Sequence, residues 1–248
     1  MVDIHSHVLW GLDDGARSLD DSLAMLSAAA QAGTTDIVAT PHADLEYRFD
    51  EALVEQRLAE LNTHTAGRPT IHYGCDFHLS FDNLQDALQH PRRYTINHGP
   101  YLMIEFPPMS ASPGLREPLA ALMRLGLVPV ITHPERNAVL SRVDVLAEWL
   151  ALGCLAQITG GSLTGRFGGE AERAAWAMLE RGCAHFVASD AHGTRDRTTA
   201  LDKACAAVSA RLGESLAQRV FEQNPRAVID GLPIPPAPRA KSWLRKYF

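Results

Sequence analysis

Short β-rich runs alternate with helix-patterned runs along almost the whole chain, and this alternation limits the fold more than any other feature. A first strand around Asp3–His7 is followed by a helix over 18–33, where Ser18 with Asp21 reads as a capping-box variant and Gly33 as a stop. Strands then fall at 34–40, 70–76, 101–105, 128–132, 155–159 and 185–189. Helices are expected near 50–66, 82–89, 115–126, 141–152 and 168–182, with terminal helices near 196–222. Repeated βα units require parallel strands joined by right-handed crossovers. Seven of them in 248 residues predict an α/β fold, a single closed but distorted (β/α)7 barrel.

Barrels of this kind build their sites at the carboxyl ends of the strands, so those ends deserve a census. The first strand, "DIHSH", offers His5 and His7, which a period of two places on one face. "DIVATPHAD" ends in His42. "IHYGCDFHL" supplies Asp76, with His78 as a competitor, and "YLMIEFP" supplies Glu105 behind an apolar run. "LVPVITHPER" ends in His133, and "HFVASDAHG" ends in Asp190 and His192. A carboxylate such as Glu105 buried without a partner would be costly, so a cation is the economical explanation. His64, His72, His90, His98 and His185 fall in helices, loops or strand starts and read as ordinary.

Five imidazoles and three carboxylates exceed what one ion takes, which predicts two to three divalent metals with bridging carboxylates. Mixed nitrogen and oxygen donors without thiolate fit Mn²⁺, Fe²⁺ or Zn²⁺ better than Ca²⁺ or Mg²⁺. Such a cluster supplies hydroxide for phosphoester hydrolysis. That reaction also needs donors for the phosphoryl oxygens, and Arg136 and Arg197 lie in loops after two of these strands, with Arg195 as a substitute for Arg197. Asp13 and Asp14 either add a ligand or orient a ligand histidine.

The net charge of −6 argues against a nucleic-acid partner. Four cysteines without C-x-x-C spacing, and no signal peptide or membrane-length apolar run, predict a cytoplasmic protein without a transmembrane segment. Residues 232–248 turn proline-rich and then basic-aromatic. They read as a strap packed through Trp243 and Phe248, or as a docking element for a membrane or partner.

The motifs "DIHSHVLWGLDDGARSLDDSLAM", "IVATPHAD", "ITHPER", "ITGGSLTGRFG" and "SDAHGTRDR" resemble the polymerase-and-histidinol-phosphatase (PHP) superfamily. Within it they are similar to the CpsB-like manganese-dependent tyrosine phosphatases of bacterial capsule and exopolysaccharide operons. The resemblance implies a PHP-type, TIM-barrel-like domain over residues 1–230, leaving 231–248 as a tail. It implies metal ligation by His5, His7, Asp14, His42, Asp76, Glu105, His133, Asp190 and His192, phosphate binding by Arg136 and Arg197, and Mn²⁺ before Fe²⁺, Zn²⁺ or Co²⁺. The implied substrate is a tyrosine-phosphorylated protein, the tail of a bacterial tyrosine autokinase, with recruitment to the inner membrane face by a partner and room for a homo-oligomer. Two departures stand out. The family pattern has Glu at Asp76, where a shorter arm reshapes one metal site, and Ala is commoner at Gly160, with no expected effect on chemistry.

Three rival readings remain at this level. Cys205 and Arg211 formally match a Cys-x5-Arg phosphatase loop, but "DKACAAVSARL" is alanine-rich and reads as continuous helix rather than a phosphate cradle. A small-molecule phosphatase of the histidinol-phosphatase type, or a phosphodiesterase, would use the same cluster. A non-catalytic metal-bound scaffold would keep the ions and lose the turnover.

Overall fold

A computed structural model describes residues 1–107 and 113–234. Among the described residues nine parallel strands occupy seven positions around a closed barrel, as the βα alternation predicts. They are β1 (Val2–Ser6), β2 (Asp36–Ala39), β3 (His42–Ala43), β4 (Thr70–Tyr73), β5 (Asp76–His78), β6 (Tyr101–Glu105), β7 (Val128–Thr132), β8 (Leu155–Thr159) and β9 (Phe186–Ala188). Hydrogen bonding links β1-β2-β4 in one sheet and β3-β5-β6-β7-β8-β9 in another.

Two strand positions are each broken in the middle, so the continuous strand expected over 70–76 is instead β4 and β5. Pro41 lacks an N–H and interrupts the ladder between β2 and β3. At Gly74, between β4 and β5, a Cβ would lie 2.7 Å from Val38 Cγ1, so only glycine lets the neighbouring strand come this close. Asp76 N donates to Pro41 O across the two breaks at 3.1 Å. At the other seam Asp190 N donates to His5 O (2.8 Å) and His7 N to Ala191 O (2.9 Å), which joins β9 back to β1 and closes the barrel.

Helices α1 (Leu19–Gln31), α2 (Glu51–Thr65), α3 (Phe81–Gln89), α4 (Arg116–Arg124), α5 (Val143–Ala151), a short α6 (Gly160–Leu163) and α7 (Gly168–Glu180) lie between strands. Ser18 caps α1 by accepting from Asp21 N, and Gly33 follows its end at φ 87°, the left-handed region that glycine enters without strain. The terminal helices begin and end later than the sequence pattern suggests: α8 (Asp202–Leu212), α9 (Glu214–Gln218), a π-turn over Arg219–Gln223 and α10 (Asn224–Ile229). The segment before α8 is irregular because it carries site residues rather than an apolar stripe.

Val228 and Ile229 of α10 pack with Val2, Ile4, Met103 and Phe186 near the strand starts. Arg226 also grips Asp36 with both of its terminal nitrogens there. That end is thereby shut, and the larger apolar cluster between strands and helices surrounds the rest. Gly160 has a steric role: a Cβ there would meet Leu201 Cδ2 at 2.8 Å and Ala204 Cβ at 3.3 Å, so glycine lets α8 pack close. Tyr101 donates to Leu232 O and Ile234 packs on the α10 cluster; Trp243 and Phe248 lie outside the described residues. Among the described residues no helix is long and apolar enough to cross a membrane.

Candidate metal centre

At the open end of the barrel the side chains aim inward from the strand ends. His5 and His7 leave the end of β1 with their Nε2 atoms 3.4 Å apart. Each is held from behind: His5 Nδ1 lies 2.9 Å from Gln157 Oε1, and His7 Nδ1 lies 2.6 Å from Asp13 Oδ2. An acceptor at Nδ1 fixes the tautomer that presents Nε2 to an ion. Asp13 is itself fixed by His42 N and Gly15 N. Gly15 is obligatory in this loop, because a Cβ would stand 2.2 Å from His7 O and 2.5 Å from His7 Cβ.

The carboxylates sit between these rings. Asp76 is fully buried, with Oδ2 3.5 Å from His5 Nε2 and 3.3 Å from His42 Nδ1. Asp190 Oδ1 lies 3.5 Å from the Nε2 of both His5 and His7. Glu105 Oε1 is 3.7 Å from His133 Nε2, and its Oε2 is 3.9 Å from Nδ1 of both His42 and His78. Asp14 Oδ1 lies 3.5 Å from His42 Nε2 and 3.2 Å from His192 Nε2.

Four overlapping groups of donors, each within 4.8 Å of one another, result: His7/Asp14/His42/His192, His5/His7/Asp190, His5/Asp76/His133 and His42/Asp76/Glu105. His7, His5, Asp76 and His42 each belong to two groups, so neighbouring ions would share ligands. All nine residues predicted from the sequence therefore come together. His78 stands at the rim beside Glu105 and joins none of these groups.

The chemistry of the donor set fits cations. Neither oxygen of buried Asp76 has a hydrogen-bond partner among the described residues, nor do His42 Nδ1 and His192 Nε2. Leaving such groups bare is costly, whereas separations of 3.3–3.5 Å suit two ligands on a common ion. The electrostatics agree. Burial pulls the His42 imidazole down, but the Asp14 and Asp76 carboxylates prevail and hold it up at about 11. Burial likewise opposes His7, which Asp13 brings up to about 9. Asp76 is held well below the usual carboxylate range against its burial by His5 and His42, and Asp190 by Arg136 and His5. Burial takes His192 down to about 4, helped by His7. The cluster attracts positive charge, as protons or as ions.

Arg136 and Arg197 both donate from Nη2 to Asp190 Oδ2, the latter at 2.7 Å. The Arg136 guanidinium lies over the Phe167 ring, 4.5 Å from its centre. The two arginines, with His42, Glu105, His133 and His192, line a cavity of about 230 Å³ at the mouth. Arg195 is exposed and lacks a side-chain partner among the described residues, so Arg197 takes the place for which both were candidates.

Two residues escaped the sequence reading. Gln157 is an amide flanked by Ala156 and Ile158 within the strand run "LAQIT", a signal that was legible. Glu135 is 2 % exposed and its Oε1 accepts from Thr159 N (2.9 Å) and Ser162 Oγ (2.7 Å), anchoring the segment that leads to Phe167. Nothing in "HPER" marks Glu135 as buried, because its hydrogen-bond donors, Thr159 and Ser162, lie 24 and 27 residues further on. Cys205 lies in α8 as expected of a helical segment, with burial raising its thiol.

A closed parallel barrel whose open end gathers imidazoles and carboxylates in overlapping groups defines a metal-dependent barrel hydrolase. The chain belongs to the family described as capsular polysaccharide synthesis, CpsB/CapC, whose model matches residues 1–230. It is 35% identical over 202 residues to the putative tyrosine-protein phosphatase CapC of Staphylococcus aureus, covering 79% of each chain. It is 31% identical to the tyrosine-protein phosphatase YwqE of Bacillus subtilis, over 92% of this chain and 96% of that one. A solved structure described as one of the metal-dependent tyrosine phosphatases YwqE from Bacillus subtilis and CpsB from Streptococcus pneumoniae superposes with a TM-score of 0.88 at 30% identity, covering 96% of this chain and all of that one. The fold alone is shared with a histidinol phosphate phosphatase of Lactococcus lactis, at a TM-score of 0.56 and 12% identity, covering 89% and 96% of the two chains.

Proposed function

We propose that the chain hydrolyses phosphotyrosine in proteins with two to three divalent metal ions held by His5, His7, Asp14, His42, Asp76, Glu105, His133, Asp190 and His192. The observation that carries this reading is Asp76, a fully buried carboxylate with no hydrogen-bond partner among the described residues and two imidazole nitrogens within 3.5 Å. The nitrogen and oxygen donors around it suit Mn²⁺, and also Fe²⁺, Co²⁺ or Zn²⁺. Ions of this kind supply hydroxide at neutral pH and neutralise charge on phosphoryl oxygens.

The protein's own groups have separable tasks. Gln157 and Asp13 hold His5 and His7 in the orientation that offers Nε2. Arg136 and Arg197 present their planar forks to two non-bridging phosphoryl oxygens and offset the charge that builds there. The Phe167 ring lies against the Arg136 guanidinium and helps to orient it, and Phe106 lines the mouth through which the aryl group of the substrate enters.

The family description supports a role in capsular polysaccharide synthesis; on our reading that role extends to exopolysaccharide synthesis and the phosphorylated partner is a bacterial tyrosine autokinase. A cytoplasmic location, with recruitment to the membrane through that partner, follows from the same reading. So does the assignment of the chemistry to residues 1–230 and of 231–248 to a tail. Exhaustive chelation followed by addition of single divalent metals tests the proposal on a phosphotyrosine peptide, a phosphoserine peptide and histidinol phosphate. Turnover should vanish on chelation, return best with Mn²⁺ and favour the phosphotyrosine peptide at least a hundredfold. Full turnover without metal, or a preference for histidinol phosphate, would overturn it, and tight metal binding without hydrolysis would leave a scaffold.

A further inference from the structure

The mouth shares lining residues with two neighbouring clefts. Beyond Arg136 and Asn137, which line both spaces, a cleft of about 530 Å³ opens over Phe167, Ala171 and Ala174. Beyond His192 and Arg197, again shared, a second cleft of about 350 Å³ opens along Arg17, Asp21 and Arg195. The two guanidiniums that meet on Asp190 Oδ2 thus stand as shoulders, with a cleft behind each.

A small phosphate ester would fill the middle and leave both clefts to water. A phosphotyrosine inside a polypeptide has chain leaving it in two directions, and the two clefts offer a place for each. The linings differ in chemistry. The Arg136 side is mixed: Ala171, Ala174 and the Phe167 ring give it an apolar surface that suits apolar side chains, while Ser141, Glu170 and Arg173 bring polar groups to the same space. The Arg197 side is charged, and the guanidiniums of Arg17 and Arg195 have no side-chain partner among the described residues. Resting on the function proposed above, we infer that the substrate is an extended polypeptide segment laid across the mouth. Residues on one flank of its phosphotyrosine sit in the cleft beside Phe167, Ala171 and Ala174, and those on the other flank meet Arg17 and Arg195. Recognition of a protein rather than a free metabolite therefore belongs to surfaces outside the metal centre.

The test compares p-nitrophenyl phosphate, a blocked single phosphotyrosine, and phosphotyrosine peptides extended by three residues on one or both sides, with the Mn²⁺-loaded enzyme. Extension on each side should raise kcat/KM several-fold, chiefly through KM. Ala174→Trp, which fills the cleft beside Phe167 from the side of α7, should lower kcat/KM about tenfold on the doubly extended peptide and leave p-nitrophenyl phosphate unchanged. Arg195→Glu should act in the same selective way on peptides with an acidic flank. Equal kcat/KM for the single residue and the extended peptides overturns the inference. Variants that slow both kinds of substrate alike, with thermal midpoint and metal content intact, overturn it too. If wild type hydrolyses neither p-nitrophenyl phosphate nor any peptide with any metal, the functional proposal itself fails, which the small substrate reports separately.

Discussion

Replacing Asp76 by Asn tests the metal centre with little else disturbed. The amide keeps the shape of the carboxylate but removes its charge, and no hydrogen bond among the described residues ends on either oxygen, so no buried donor loses its acceptor. An ion that binds only the folded state stabilises it by RT ln(1 + [L]/Kd), about 2.7 kcal/mol at a hundred times Kd. For a domain of this size each kcal/mol moves the midpoint by about 2–4 °C, so Mn²⁺ should raise the wild-type midpoint by about 5–10 °C over the chelated protein. Asp76 belongs to two of the four donor groups. Losing a direct ligand should weaken affinity by at least the roughly 10–100-fold that losing an outer partner costs. At the hundredfold end the same Mn²⁺ concentration gives about 0.4 kcal/mol, and the upshift shrinks to about 1 °C. Differential scanning of each protein with and without Mn²⁺ reads this difference, which cancels any effect of the substitution on the metal-free fold. An Asp76→Asn protein that keeps the full wild-type upshift would refute the assignment of Asp76 as a ligand.

Glu135→Ala strands Thr159 N and Ser162 Oγ, at about 1–3 kcal/mol for each buried orphan, so the denaturation midpoint should fall by several degrees; an unchanged midpoint would deny the anchor. Gly15→Ala forces a methyl into His7 backbone and should cut bound metal and turnover at least tenfold, with elemental analysis as the check. Asp36 lies against Arg226, and although burial opposes it the Arg226 fork holds its carboxyl well below the ordinary range. A carboxyl depressed in the folded state adds stability that is full above its unfolded value and fades as pH falls, so the advantage of wild type over Asp36→Asn in urea should be complete at pH 7 and shrink below about pH 4. Cys205→Ser should leave turnover unchanged, and a collapse in rate would revive the Cys-x5-Arg reading.

Much of this was legible because it depends on local pattern. The βα alternation encodes parallel pairing, and a ligand at a strand end follows from the strand that carries it. Asp76 and Glu105 could be picked out because each interrupts or ends an apolar run, and a buried charge needs a partner. The breaks at Thr40–Pro41 and Gly74–Cys75 were harder to see, since they arise from the neighbouring strand: Gly74 is explained by Val38, thirty-six positions away in sequence. The role of Gln157 likewise depends on a partner distant in sequence, His5, which only barrel closure through β9 brings near. Gly160 looked neutral for the same reason, because its closeness to Leu201 and Ala204 exists only once α8 has docked.

Backbone strain shows where the barrel subordinates local preference to the site. His133 directly follows β7, Asp190 follows β9 after Ser189, and both occupy the left-handed region, at φ 34° and φ 50°, without being glycine. Such residues cost of order 1–3 kcal/mol each and persist only where the surroundings over-determine them. For Asp190 the surroundings are visible: its N–H donates to His5 O in the closing seam, Oδ1 faces His5 and His7, and Oδ2 holds Arg136 and Arg197. An ordinary β conformation there would carry the carboxylate away from one side or the other. The turn therefore lets one buried carboxylate belong at once to the imidazole cluster and to the guanidinium pair, fixing the distance between the proposed metal site and the proposed phosphate site.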